Sequence, residues 1–184
     1  TPQHLFFHAP DCYDRLGTFA QMNPPIREIK HKEGLWKAVN EKVIDVVGSD
    51  HAPHTISEKN NKYPNSPSGM PGVQTLVPIM LNFVNQNKIS LSDFVRLTSV
   101  NPAKIYNIKN KGFIEKGYDA DFTIVDLKKK RTIDNSWIAT KSNWTPYDGV
   151  SVIGWPIYTI IRGQIIMQND SIINGPLGKK IEFK

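Results

Sequence analysis

A chain of 184 residues can bury a sizeable core as one domain, or as one domain and a piece of another. Its net charge of +6 comes from 23 Lys and Arg against 17 Asp and Glu; the basic residues are scattered apart from Lys128 to Arg131, and no aromatic interleaving accompanies them, so a nucleic-acid partner is not expected. The single cysteine, Cys12, excludes an internal disulfide framework, and no run of about 18 apolar residues offers a membrane span, which together give a cytoplasmic expectation.

Thr1 to Phe7 alternates poorly but carries Leu5, Phe6 and Phe7, and a polar, Gly-containing loop follows. In Gln21-Met22-Asn23-Pro24-Pro25-Ile26-Arg27 the two prolines hold the backbone extended and fix the aim of Asn23. An amide donates and accepts at once, which suits the edge of a cyclic imide or ureide; the same residues also fit a rigid turn with a capping Asn. An amphipathic helix is predicted from about Glu28 to Asn40.

Val43 to Val47 is β-branched, brief and bounded by Gly48, the pattern of a strand buried on both faces in a parallel sheet. It ends in Ser49-Asp50-His51-Ala52-Pro53-His54. In a parallel β/α barrel the chemistry sits where strands stop, so a carboxylate and imidazoles there face a pocket. A turn in which Asp50 caps the next segment and the histidines are solvated fits the same residues.

Thr55 to Pro67 lacks periodicity and is predicted as a loop long enough to act as a lid or binding loop. In Ser68-Gly69-Met70-Pro71-Gly72 the glycines permit close backbone approach, and N–H groups at the following helix start favour a carboxylate. Apolar residues at Val73, Leu76, Val77, Met80, Leu81 and Val84 predict a helix to Asn85. A second helix starts at Ser90 or Ser92, with Leu91, Phe94, Val95, Leu97 and Thr98 on its apolar face, and Asn101-Pro102 restarts a short one.

A boundary is placed near Lys109 to Gly112, dividing the chain into residues 1–110 and 111–184. Beyond it Gly112 to Ile114, Ala120 to Asp126 and Thr159 to Met167 alternate apolar and polar residues, which is strand chemistry, while Lys128 to Arg131 is assigned to a surface turn. Gly163-Gln164 and Asn169-Asp170 are expected as tight hairpin turns.

Ser-Asp-His-Ala-Pro-His at a strand tip resembles the last barrel strand of the cyclic amidohydrolases, the dihydroorotase, allantoinase and hydantoinase group. Met22 to Arg27, Ser68 to Thr75, Trp144 to Gly149 and Gly154-Trp155-Pro156 are most similar to the class I dihydroorotases, and Asn23 is the residue favouring them over allantoinases and hydantoinases; Gly117-Tyr118-Asp119-Ala120-Asp121 resembles the turn that opens the small β-sandwich accompanying amidohydrolase barrels. Gln74 stands where Glu is common, and Gln3 where the first of two histidines is usual; His4 is not expected to bind metal. The resemblance implies an α/β fold, the last strands and helices of a (β/α)8 barrel followed by strands of a small β-sandwich, and a chain that is the C-terminal portion of a longer enzyme, since a whole barrel takes about 250 residues.

The implied activity is reversible hydrolysis of dihydroorotate to N-carbamoyl-aspartate in pyrimidine synthesis. By resemblance Asp50 is a catalytic acid-base group and a ligand to one of two zinc ions, while Asn23, His54, Ser68 and Gly69 contact substrate. The remaining metal ligands of the family lie on strands preceding this chain, so little activity is expected of it alone. A homodimer, a complex with a carbamoyltransferase, or a non-catalytic scaffold completes the expectations.

Overall fold

Seven helices precede a four-stranded antiparallel sheet in the computed structural model, which describes residues 1–183. The helices are α1 (Pro2–Phe6), α2 (Asp11–Leu16), α3 (Ile29–Asn40), α4 (Ile56–Lys59), α5 (Leu76–Asn85), α6 (Leu91–Val95) and α7 (Asn101–Ile105). The strands are β1 (Phe122–Thr132), β2 (Ser151–Ile161), β3 (Gln164–Gln168) and β4 (Ser171–Ile172), adjacent in that order. A mixed α/β fold is therefore present, with its sheet in a single layer among the described residues.

The helix predicted over 28–40 forms as α3, and that over 73–85 forms from Leu76, with Val73 outside it and exposed. The second predicted helix forms as α6, a π turn over Arg96–Val100 and then α7. Of its predicted apolar face, Phe94 and Leu97 are buried, whereas Leu91 and Val95 are exposed.

Three expectations are corrected. Val43 to Val47 forms no ladder, and Val43 is 70% exposed while Val47 is buried. Among the described residues no strand pairs with it; the Val47 N–H instead donates to Leu97 O at 3.1 Å, and the Asn101 amide donates to Asp45 O at 2.8 Å. Lys128 to Arg131 lies within β1, where Asp126 Oδ1 accepts from the N–H groups of Lys128 and Lys129 and the register shifts between Asp126 and Lys130. The basic run is thus a bulged strand rather than a turn. Gly112 to Ile114 forms no strand.

The first hairpin turns at Arg162 and Gly163, one residue earlier than expected, and the second at Asn169 and Asp170. All four residues have positive φ, the requirement of the turn that matches strand twist. Asp170 then serves a second purpose: its Oδ1 accepts from both Trp137 Nε1 (3.0 Å) and Trp155 Nε1 (2.9 Å), and its Oδ2 pairs with Arg131 at 3.1 Å. Asp119 and Asp121 share Lys111 as their cation, and Asp121 Oδ1 accepts from the Arg162 N–H, so the pair closes the turn.

One apolar cluster runs from Leu5 to Trp155, and residues on both sides of the 110/111 boundary contribute to it. Tyr147 stacks on Phe7 with centroids 5.2 Å apart and meets Phe6 edge-on, and β2 lies on α5. Gly154, at φ 102°, brings the β2 backbone against Leu81, where any Cβ would overlap the Leu81 side chain. The backbone groups exposed by the bulge are satisfied by α5: Asn82 Oδ1 accepts from Ile153 N, and Asn85 Nδ2 donates to Leu127 O and Ile153 O. These apolar side chains supply roughly 1.5–3 kcal/mol each when fully buried, and the paired amides remove the penalty of burying unmade hydrogen bonds.

Candidate active site

The segment from Ser49 to His54 is held from beneath by Gln3. This side chain is buried and its Nε2 donates to Ser49 O at 3.0 Å, while Gly72 packs so closely against Ser49 that a Cβ would overlap its carbonyl. Asp50 follows in the left-handed region, φ 45°, which Asp tolerates better than most residues, and it is exposed. The backbone therefore turns sharply at the carboxylate, beyond the end of the Val43 to Val47 segment.

His51 is tied to the segment that leads into α5. Its Nδ1 accepts from the N–H groups of Gly72 (3.1 Å) and Val73 (3.3 Å), which fixes the proton on Nε2 in the neutral ring. The loop is thus locked to the approach of α5, and backbone pairing continues as the Ala52 N–H donates to Met70 O at 3.1 Å.

His54 and the Ser68-Gly69 segment are brought together. His54 Nε2 lies 3.2 Å from Ser68 O; a carbonyl only accepts, so Nε2 carries the hydrogen and Nδ1 is left for a proton or a ligand. Gly69 passes at φ 146° so close to Ala52 that a side chain there would overlap it, and would press tightly on the His54 ring. Trp144 Nε1 donates to His54 O at 2.7 Å, and its ring meets Phe19 edge-on at 4.9 Å.

Asn23 and Ser68 line one open cavity of about 660 Å3, together with Gln21, Tyr13 and Tyr63. The loop that carries Asn23 is joined to the Ser68 loop by three bonds: Gly69 N–H to Gln21 O (2.9 Å), Gln21 Nε2 to Ser66 O (2.8 Å) and Gln21 Nε2 to Ser68 Oγ (3.4 Å). His4 braces it from the other side, its Nε2 donating to Pro24 O at 2.9 Å while Nδ1 takes the Thr1 hydroxyl at 2.7 Å. Burial holds the His4 imidazole below its ordinary pKa, opposed by the Pro24 bond and by the negative charge of Asp50. Both ring nitrogens are engaged, which leaves His4 no lone pair for a metal.

Among the described residues no group of three or more His, Cys, Asp or Glu side chains gathers where it could hold a metal ion. His4 and His51 are committed to hydrogen bonds, and Asp50 is one exposed carboxylate. The described residues of this chain do not by themselves make up a metal centre. No helix among the described residues is long and apolar enough to cross a membrane.

Sequence reasoning missed α2, α4 and the residue that α4 carries. Helix α2 was legible in Asp11 and Asp14 in its first turn, Arg15 in its last and Gly17 at its end. Helix α4 was legible in Thr55 and Glu58, which form a reciprocal capping box. Lys59 at its end is 0% exposed, and burial lowers its ammonium pKa to about 8. No local pattern foretells that, because its partners Gln21 O and Pro67 O are backbone atoms brought there by folding. Gln74, whose role the sequence left open, donates from Nε2 to Trp137 O and accepts at Oε1 from Ala139 N, both at 2.8 Å.

The amidohydrolase family model matches residues 23–166. The dihydroorotase of Pyrococcus furiosus is 45% identical over 184 residues, covering 100% of this chain and 42% of that protein. The dihydroorotase of Methanosarcina acetivorans is 43% identical over 174 residues, covering 94% of this chain and 37% of its own length. Among solved structures, the L-hydantoinase (dihydropyrimidinase) of Arthrobacter aurescens superposes with a TM-score of 0.88 at 30% identity, over 94% of this chain and 39% of that one. Dihydropyrimidinase of Brevibacillus agri gives 0.87 at 29% identity, over 94% and 39%. The chain spans about two-fifths of the length of the curated relatives it matches.

Proposed function

The chain belongs to the amidohydrolase family, and from that premise we propose that it is the portion of a dihydroorotase that binds substrate and supplies the acid-base carboxylate. The observation that carries this reading is the convergence of three segments: the Asn23 loop, the Asp50 to His54 turn and the Ser68-Gly69 strap, cross-linked through Gln21, Ala52 and His54. The identity of 45% to a dihydroorotase, against 30% to an L-hydantoinase, supports dihydroorotate over the related ureides.

In this reading residues 1–110 complete a barrel and residues 111–184 form the small accompanying domain. Asp50 takes a proton from the attacking water and returns it to the ring nitrogen as the C–N bond opens; positioned groups of this kind are worth about 10² to 10⁴-fold. Asn23 offers an amide N–H and C=O to the ring edge, and Ser68, Gly69 and His54 receive the substrate carboxylate. A divalent metal, zinc in our proposal, would supply the Lewis acidity that brings water's pKa towards ~7 when bound in the complete enzyme. Asp50 would be one ligand to it, and the others would come from outside this chain.

The test is hydrolysis of dihydroorotate, dihydrouracil and hydantoin by the intact protein with zinc. We expect dihydroorotate to be preferred at least tenfold in kcat/KM; preference for either ring lacking the carboxylate would overturn the assignment. Loss of that preference in His54→Ala with metal content unchanged would tie it to the carboxylate contact, whereas Asn23→Ala should weaken all three substrates together.

A further inference from the structure

We infer that Lys59 is a positioning residue of this site: its buried ammonium ties the Asn23 loop to the Ser68-Gly69 strap and so sets the width of the cavity between them. The role deepens the proposed function and rests on it for the identity of the ligand.

Lys59 is fully enclosed, yet no carboxylate pairs with it among the described residues. Its Nζ donates instead to Gln21 O at 3.0 Å and to Pro67 O at 2.8 Å, and it stands 5.9 Å from the centroid of the Trp144 ring. Gln21 lies two residues before Asn23, and Pro67 lies immediately before Ser68. One cation therefore grips both walls of the cavity by their backbones.

The grip is reinforced at the other end of the residue. The carbonyl of Lys59 accepts from Thr18 Oγ1 at 2.6 Å and from Ser66 Oγ at 3.3 Å, one hydroxyl from each wall. Gln21 O receives both Lys59 Nζ and the Gly69 N–H, which fills its two lone pairs. The capping box of α4 then fixes the lysine's own position.

A structural filler does not require this residue type. Burying an ammonium without a counter-ion is costly, and methionine would occupy a comparable space without that cost. What methionine cannot do is donate to two carbonyls on separate segments. The lysine is explained by the bonds, and the bonds join the two segments that line the cavity.

The experiment compares wild type, Lys59→Met and Lys59→Arg in the intact protein. Amide exchange of peptides covering 18–23 and 66–70 is followed without ligand, and kcat and KM for dihydroorotate are measured in parallel. We expect at least tenfold faster exchange at Gly69 in K59M, exchange elsewhere within about twofold, KM raised at least tenfold and kcat within threefold. Arginine, which retains the donors, should recover most of the KM. Unchanged exchange at Gly69 in K59M overturns the inference, as does faster exchange across the whole chain with kcat and KM falling together. If K59M does not fold, wild type decides: Gly69 must exchange at least tenfold more slowly than a free amide, and rapid exchange there refutes the clamp. A wild type that exchanges as expected but leaves dihydroorotate intact retains the clamp and refutes the substrate.

Discussion

Trp144 Nε1 donates to the carbonyl of His54 across 2.7 Å, joining a residue far along the chain to the turn that follows Asp50. Trp144→Phe keeps the ring against Phe19 but leaves that carbonyl without its donor. We expect a loss of about 1–2 kcal/mol in unfolding free energy, together with a severalfold rise in KM for a carboxylate substrate and little change in kcat. Chemical denaturation and steady-state kinetics on one preparation check both parts, and an unchanged KM would remove His54 from the binding role.

Asp50→Asn preserves size and removes the proton acceptor. Because the side chain is exposed and braced only through its backbone, folding should be unaffected. The expected result is a drop in kcat of at least about 100-fold, with the melting temperature within a degree or two of wild type. Turnover at the wild-type rate would falsify the acid-base assignment.

Gln74→Glu tests a bond that needs an amide. The carboxylate could still accept from Ala139 N, but it would face Trp137 O with a second acceptor. A destabilisation of about 1–3 kcal/mol is expected at pH 7. It should shrink as the pH falls through the carboxyl's pKa, because the acid form regains a donor. Urea titrations at pH 7 and pH 4 read this directly, and a stability difference independent of pH counts against the geometry.

Lys59 gives the fold a distinctive response to alkali. Burial lowers its pKa from 10.5 to about 8. Below pH 8 the folded and unfolded chains both carry the proton, and the whole cost of burying the charge is present. Between pH 8 and 10.5 the unfolded chain holds more protons than the folded one, so stability rises with pH across that window. Relative to K59M, wild type should gain on the order of 2 kcal/mol from pH 7 to pH 10. Parallel melting curves with a constant difference would show that the ammonium is not desolvated.

Periodicity and composition carried the longer helices, because α3 and α5 place apolar residues at helical spacing and pack on one face, and missed the short ones. The Val43 to Val47 segment shows their limit: β-branched residues state a preference for extended backbone, but burial depends on neighbours, and among the described residues no strand pairs with this one. The Lys128 to Arg131 run looked like solvated loop because its charge was visible and its partners were not; Arg131 is drawn into the sheet by Asp170 and the Trp155 ring. Of the proposed site, Asn23, Asp50, His54, Ser68 and Gly69 stood out by motif. The groups that hold them, Gln3, Lys59 and Trp144, act largely through backbone carbonyls, which leave no trace in side-chain identity.

The uninterrupted apolar cluster from Leu5 to Trp155 bears on how this architecture could be rebuilt. Transplanting the sheet onto another catalytic scaffold by cutting at Gly112 would uncover Phe7 and Leu81 on the donor and strand Tyr147 and Trp155 on the graft. A working chimera would have to carry α5 along with β2, so the natural unit of exchange is the helix and the strand together, whatever the linear boundary suggests.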